Sequence, residues 1–429
     1  MRREASDVKQ IPHRGGPRTS GSPIKTRLAP QVKRLFGFIV PVNLSIYVVV
    51  GAVPGVLLPL QIQGIDEANK AANLAIVTGI GAFAAMIVSP IAGMISDRTR
   101  TRFGRRSPWI LGGALASGLT LFGMGFASTV VHFVIAWTIM QICLNLMISP
   151  LTALLPDRIP SAVRGTFSTL VGIGMMVGIL AGQILGASLA SNIRSAYLIL
   201  PGLMIVVVTL FVIFCKDTDS RDRVNEPFSF LVFLKTFWVN PVQHPDFFFG
   251  FMSRITLFTG YFIVTGFQLY LLQDYIGLGD DAVALIPILG LINMVAMIVS
   301  MGFAGPLSDK IGRRKPFVAG AALLMGGSMI IPAFIPTVPG MMVFTAICSL
   351  GFGTYMSVDA ALMSEVLPSE GSFAKDLGVL NIAATLPQTM GPFLGGIIVV
   401  AAGYRALFPV AVVLAIVGAL SIVPIKAVK

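Results

Sequence analysis

Twelve stretches of about 18 or more mostly apolar residues run through this 429-residue chain, the first beginning near Leu35 and the last ending near Ile425. An apolar segment of that length crosses a hydrocarbon slab of about 30 Å as a helix, because lipid offers backbone N–H and C=O groups no partner and a helix satisfies each internally. Hydrophobic residues make up 55% of the chain and charged ones 12%, too little polar side chain to surround a soluble core of this size. The expected fold is all-α and integral to a membrane.

The net charge of +12 would suit a nucleic acid if the basic residues formed one patch, but they follow the ends of the apolar stretches. With a cytoplasmic N-terminus, one side receives the tail up to Arg34, Arg98 to Arg106 after the second stretch, Arg158 and Arg164 after the fourth, Lys216 to Lys235 at the centre, Lys310 to Lys315 after the eighth and Lys375 after the tenth. The other side keeps Lys70, Arg194 and Arg405. This positive-inside asymmetry predicts a multi-pass protein of the cell membrane with both termini cytoplasmic, and makes the lipid bilayer the partner of the basic loops. Four regions follow: a basic tail with the composition of disorder (1–34), six helices (35–215), a polar linker (216–246) and six more helices (247–429). Within the linker, the patch Phe228–Trp238 suits either the membrane surface or the ends of the helices.

A short motif is written twice. Gly93-Met94-Ile95-Ser96-Asp97-Arg98, continuing to Gly104-Arg105-Arg106-Ser107-Pro108, recurs as Gly305-Pro306-Leu307-Ser308-Asp309-Lys310-Ile311-Gly312-Arg313-Arg314-Lys315-Pro316. The two aspartates are 212 positions apart (309 − 97), and Asp157 aligns with Glu365 at a similar shift of 208 (365 − 157). Agreement at two independent places indicates an internal duplication.

A glycine, an acid and a basic cluster between apolar helices, once per half, resembles the loop signature of the major facilitator superfamily. The string Ser96–Trp109 has four more residues between acid and glycine than the second copy. Together with Leu155–Gly165 and Asp359–Pro368, it is similar to the glycoside–pentoside–hexuronide branch and the related sucrose-proton carriers. The resemblance implies twelve transmembrane helices in two pseudo-symmetric six-helix bundles, working by alternating access in proton-coupled symport of a sugar or glycoside. It also implies a gate built from Asp97, Arg98, Gly104, Arg105, Arg106, Asp157, Arg164, Asp309, Lys310, Gly312, Arg313, Arg314, Glu365 and Lys375. In it, Asp97 faces the start of helix 11 near Lys375 and Asp309 the start of helix 5 near Arg164, each acid on a helix N-terminus. Sodium-coupled members keep acids inside helices 2 and 4, where this chain has none before Asp97 and only Gln141 and Asn145. Gly391-Pro392-Phe393-Leu394-Gly395-Gly396 looks like an element of drug antiporters, so proton-coupled efflux of hydrophobic compounds is a second reading; a transport-inactive membrane sensor is a third.

Neither a phosphate-binding loop nor a nucleophile elbow is present, and His13, His132 and His244 are scattered, so the chain does not read as an ATP-driven pump or an enzyme. Cys143, Cys215 and Cys348 have no paired spacing, and no metal or cofactor is expected. In the fold that the resemblance implies, helices 1, 4, 7 and 10 surround the central path, with 5, 8 and 11 contributing. Candidate substrate contacts are therefore Asn43, Tyr47, Trp137, Gln141, Asn145, Tyr261, Gln268, Tyr355, Asn381 and Gln388. Amides, hydroxyls and rings suit a neutral polyhydroxylated ligand, while each amide equally suits a bond between helices. Arg254 and Asp359 are the ionisable groups well inside the apolar stretches, at matching depths of about 10 and 12 Å. A lone charge there is costly, so each is expected to partner the other and to couple proton binding to transport; the alternatives are a static structural pair, or an Arg254 that snorkels to the interface. Gly174, Gly178, Gly182 and Gly186 form a stripe with two uses, packing against helix 1 or sliding against the second half.

Overall fold

The computed structural model describes residues 29–221, 243–365 and 373–425. Twelve helices in it are long and apolar enough to cross a membrane. They are α1 (Pro30–Ile65), α2 (Lys70–Arg98), α3 (Ser107–Met124), α4 (Val130–Arg158), α5 (Arg164–Ser188), α6 (Ala190–Phe214), α7 (Pro245–Thr265), α8 (Gly279–Ile311) and α9 (Lys315–Phe334), then α10 (Val338–Glu365) and α11 (Phe373–Ala402), and α12 (Tyr404–Ile422). Large apolar side chains such as Leu119 and Phe303 are 70% and 72% exposed, which water would penalise and acyl chains accept.

Local chemistry sets the ends. Pro30 opens α1 at a position where a missing N–H leaves nothing unsatisfied. The Thr129 hydroxyl accepts from the backbone N–H of His132 at the start of α4, and Asn192 from that of Ser195 in the first turn of α6. Gly312 closes α8 in the left-handed region at φ 68°. Hydrophobicity places the seventh stretch at about 247–272 and the eighth at about 283–302, and several edges differ from the sequence expectation. The first helix begins at Pro30 rather than Leu35. The eighth continues past Gly302 to Ile311, because Ala304 and Ser308 extend its buried face and carry Asp309 into the last turn. The seventh ends at Thr265 rather than Leu272: Gly266 lies against Pro392 and the chain resumes as a short turn at Gln268–Tyr270, then a wide turn over Leu271–Tyr275. An equally wide turn at Val53–Leu57, holding Pro54 and Gly55, interrupts α1. The tail before residue 29 and the patch Phe228–Trp238 lie outside the described residues.

The packing follows the duplication. In the first half α1 packs on α5 and α6, α2 on α4, and α3 on α4 and α6. The second half repeats the scheme: α7 on α11 and α12, α8 on α10, and α9 on α10 and α12. Between the halves α2 meets α11 and α5 meets α8, the same pair exchanged by the pseudo-twofold. The α5 glycine stripe faces α1. A Cβ on Gly174 would stand 2.9 Å from the Val40 carbonyl oxygen, one on Gly178 2.7 Å from that of Leu44, one on Gly186 3.2 Å from Ala52 Cα, and one on Gly182 would strike the Val48 carbonyl. Of its two uses, the stripe serves close packing inside the first half, where backbones touch because lipid removes the hydrophobic drive.

Candidate functional site

Both copies of the motif lie at one end of the bundle, here called the basic end. Asp97 occupies the last turn of α2, where the helix dipole disfavours an acid, so it requires nearby cations. The loop supplies them. Arg106 Nη2 lies 2.5 Å from Asp97 and 3.0 Å from Asp157, and Arg105 reaches the same carboxylates at 3.3 and 2.6 Å. Arg106 is nearly buried and donates a further bond of 2.6 Å to Ser96 Oγ. Two guanidiniums shared by two carboxylates thus tie the ends of α2 and α4 together.

The segment after α6 straps this cluster. The Arg106 backbone N–H donates to Asp217 at 3.0 Å, and Ser220 Oγ accepts from the Thr101 N–H and donates to the Thr99 carbonyl. Gly104, at φ 87°, packs directly on the Asp217 side chain, so both its backbone angle and the close approach require glycine. A cavity of about 280 Å³ opens beneath, lined among others by Gln31, Leu35, Arg105, Asp157, Asp217 and Ser220. Sequence reasoning missed Ser96, Asp217 and Ser220; an acid directly after the sixth stretch, on the basic side, was the available signal for Asp217.

The second copy is looser. Asp309 approaches Arg314 at 3.8 Å and is largely exposed, as are Lys310 and Arg313. Among the described residues, each motif acid is engaged within its own half rather than across to the other in this conformation. Arg164, expected to face Asp309, instead donates to the carbonyls of Ile159 and Pro156 at 3.0 and 3.1 Å, capping the turn before its own helix. Arg98 sits exposed beside the cluster. The side chains of Glu365, Lys375 and Asn381 lie outside the described ones.

Deeper in the second half, Arg254 of α7 and Asp359 of α10 do meet, with Nη1 3.5 Å from Oδ2 and side chains 14% and 3% exposed. Asp359 Oδ1 and Arg254 Nε are buried with no hydrogen-bond partner among the described residues. One turn from each charge stands an aromatic ring, Phe258 after Arg254 and Tyr355 before Asp359. Phe258 lies 5.7 Å from the Arg254 guanidinium, and Tyr355 meets Phe258 edge-on at 5.5 Å. Tyr261 stacks on Phe352 at 4.5 Å, extending the aromatic wall between the two helices.

The remaining candidates separate. Trp137, Gln141 and Asn145 share one face of α4 at spacings of one turn; Trp137 is buried against Gly81 of α2 with Nε1 unpartnered among the described residues, and Asn145 donates to the Gln141 carbonyl. Asn43 donates to the Ile39 carbonyl and, with Tyr47, abuts the glycines of α5, so both stand in the α1–α5 seam. Gln268 is half-buried at the break after α7, and Gln388 is exposed on α11.

The two halves touch at the end opposite the motifs. A Cβ on Gly396 of α11 would overlap Ala75 of α2, and Phe393 covers Gly79. Gly290 of α8 receives the Gln183 side chain of α5. Among the described residues no ion pair joins the halves at the basic end.

Comparison with known proteins fits this architecture. Residues 69–399 match the family model described as MFS/sugar transport protein. Sucrose transport protein SUC4 of Arabidopsis thaliana is 24% identical over 382 residues, covering 72% of this chain and 74% of its own. Multi-drug resistance efflux pump PmrA of Streptococcus pneumoniae is 23% identical over 362 residues, 80% of this chain and 84% of its own. Among solved structures, a mutant of the nucleoside transporter NupG superposes with a TM-score of 0.74 at 12% identity, covering 91% of this chain and 99% of that one. A bacterial homologue of the human lysosomal transporter Spinster, in an inward-facing and occupied conformation, gives 0.71 at 13% identity over 92% and 97%. With twelve apolar helices in duplicated halves and a family match across both, the chain belongs to the MFS/sugar transport protein family of the major facilitator superfamily, a transporter rather than an enzyme.

Proposed function

We propose that the protein is a proton-coupled symporter of a sugar or glycoside, working by alternating access with both termini in the cytoplasm. The observation that carries the reading is the Arg254–Asp359 pair, an ion pair inside apolar helices with one unpartnered polar atom on each side. A buried pair of this kind is weak as a structural device and is better explained as part of a transport path. Protonation of Asp359 loosens the pair, while Arg254 keeps its charge and turns its donors to substrate oxygens. The amide-rich α4 face and the aromatic wall of α7 and α10 suit a polyhydroxylated ring.

On this reading the basic end is cytoplasmic and the gate residues Asp97, Arg105, Arg106 and Asp157 hold the first-half loop rigid while the cytoplasmic path is open. Asp97 and Asp309 exchange partners across the halves in the other state. The likeness to SUC4 supports sugar, and that to PmrA supports efflux of hydrophobic compounds as the second reading. Purified protein in liposomes, given labelled sucrose and other glycosides under an imposed pH gradient, should accumulate at least one of them. Failure with a broad sugar panel, combined with proton-driven movement of a hydrophobic dye, would replace symport by efflux.

A further inference from the structure

At the end opposite the motifs, four residues form a cluster that neither the motif nor the fold requires. Lys70 is the first residue of α2, where the helix dipole disfavours a cation and the first turn holds no acid. It is held there by the turn before it: Asp66 accepts from the Asn69 backbone at 3.1 Å and from the side-chain amides of Asn69 and Asn73 at 3.1 and 3.0 Å. From this braced position Lys70 Nζ crosses to the second half and meets Asp274 at 2.8 Å.

The carboxylate that receives it is also held from within the second half. The Tyr404 hydroxyl, at the start of α12, donates to the other oxygen of Asp274 at 2.8 Å. The Tyr270 ring stands 5.1 Å from Nζ, and its hydroxyl donates to the Pro59 carbonyl of α1 at 2.9 Å, a second bond between the halves. Lys70 is 12% exposed, so its ammonium has exchanged most of its water for a carboxylate and a ring face. Pulling the halves apart at this end leaves Asp274 with Tyr404 but strips Lys70 of both partners and breaks the Tyr270 bond.

We propose that Lys70 and Asp274, with Tyr404 and Tyr270 as positioning residues, form the latch that closes the transport path at this end. The inference rests on the alternating-access reading above. Unlike the repeated motif it has a single copy, so it biases one of the two access states and leaves the other to the basic-end cluster. Its work is electrostatic, and salt reaches it through Asp274, whose side chain is 33% exposed, so only high ionic strength weakens it.

The test uses the full chain in liposomes with Cys143, Cys215 and Cys348 replaced by Ser and a reporter Ala71→Cys beside the closed α2–α11 seam, probed by an impermeant maleimide from the Lys70 side. Lys70→Gln and Asp274→Asn should each raise the labelling rate about 3- to 10-fold, and Tyr404→Phe about 2-fold. The exchanged pair Lys70→Asp with Asp274→Lys should return the rate toward the starting value, an outcome that general damage to the fold does not produce. One molar KCl should raise the rate in the unsubstituted latch and leave it unchanged in Lys70→Gln. Unchanged labelling in both single variants, or an exchanged pair no better than either, would overturn the latch. Sugar uptake measured in the same vesicles judges the transport reading separately: altered labelling without uptake of any sugar keeps the latch and removes symport, while uptake with unaltered labelling removes the latch alone.

Discussion

Two glycines of the same kind should fail in different ways when changed to alanine. On Gly178 the added methyl stands 2.7 Å from the Leu44 carbonyl oxygen and 2.8 Å from Tyr47 Cβ, against a comfortable carbon contact of about 3.5–4.0 Å. Helix α5 must then move about 1 Å away from α1, inside a half that the proposed alternating-access cycle moves as one body. Overpacking of this sort costs about 1–3 kcal/mol, all of it as stability. On Gly396 the methyl overlaps Ala75 Cβ and lies 3.3 Å from the Ala71 carbonyl oxygen, both across the seam between halves. That strain disappears when the seam opens. The same 1–3 kcal/mol therefore appears as a shift in population, about 5- to 150-fold toward the open state at this end, and little of it as lost stability. Thermal unfolding of each variant in detergent, set beside maleimide labelling of a cysteine at Ala71, separates the two. Gly178→Ala should lower the unfolding temperature without changing labelling, and Gly396→Ala should do the reverse. If Gly396→Ala melts as early as Gly178→Ala and labels no faster, the α2–α11 seam is permanent and the argument for a moving interface fails.

Asp359→Asn should abolish accumulation driven by a pH gradient while substrate exchange across the membrane persists; full gradient-driven accumulation would remove Asp359 from coupling. Arg254→Ala strands a buried carboxylate and should destabilise by about 3–5 kcal/mol, and adding Asp359→Asn should recover much of that loss in thermal unfolding, since the remaining pair is neutral. Hydrogen bonds from the Asn69 side chain, and after it from the Asn69 backbone and Asn73, hold the Asp66 carboxyl below the ordinary carboxylate range. A depressed carboxylate contributes stability that is complete above its unfolded value, near 4, and is lost as pH falls through its lowered folded value. Acid titration of Asp66→Asn should therefore show a flatter loss of stability below pH 4 than the unchanged chain, and an identical curve would contradict the hydrogen-bonded turn. Cysteines at Gly21 and Gly312 should react with impermeant reagent only in broken cells, and one at Asn73 in intact cells when that end is open; external labelling of Gly312→Cys would invert the proposed topology.

Much of this protein was legible without a structure because lipid imposes a one-dimensional rule. Every buried backbone group must be satisfied within its own helix, so hydrophobic length alone announces the twelve helices, and the repeated Asp97 and Asp309 motifs announce two related halves. Arg254 and Asp359 were paired by the same economy, since two isolated charges at equal depth have no cheaper solution than each other. What the sequence left open depended on distances between segments far apart in the chain. Glycines four residues apart say that one helix face is smooth, but only the approach of the Val40, Leu44 and Val48 carbonyls shows that α1 lies against it. Asp97 carries the same charge whether it reaches across the halves or turns back to Arg105 and Arg106, and only the folded loop, braced by Asp217 and Ser220, selects the second in this conformation. Lys70 and Asp274 stand 204 residues apart with no motif around either, so their meeting is a property of how two bundles lean together, which local sequence does not encode.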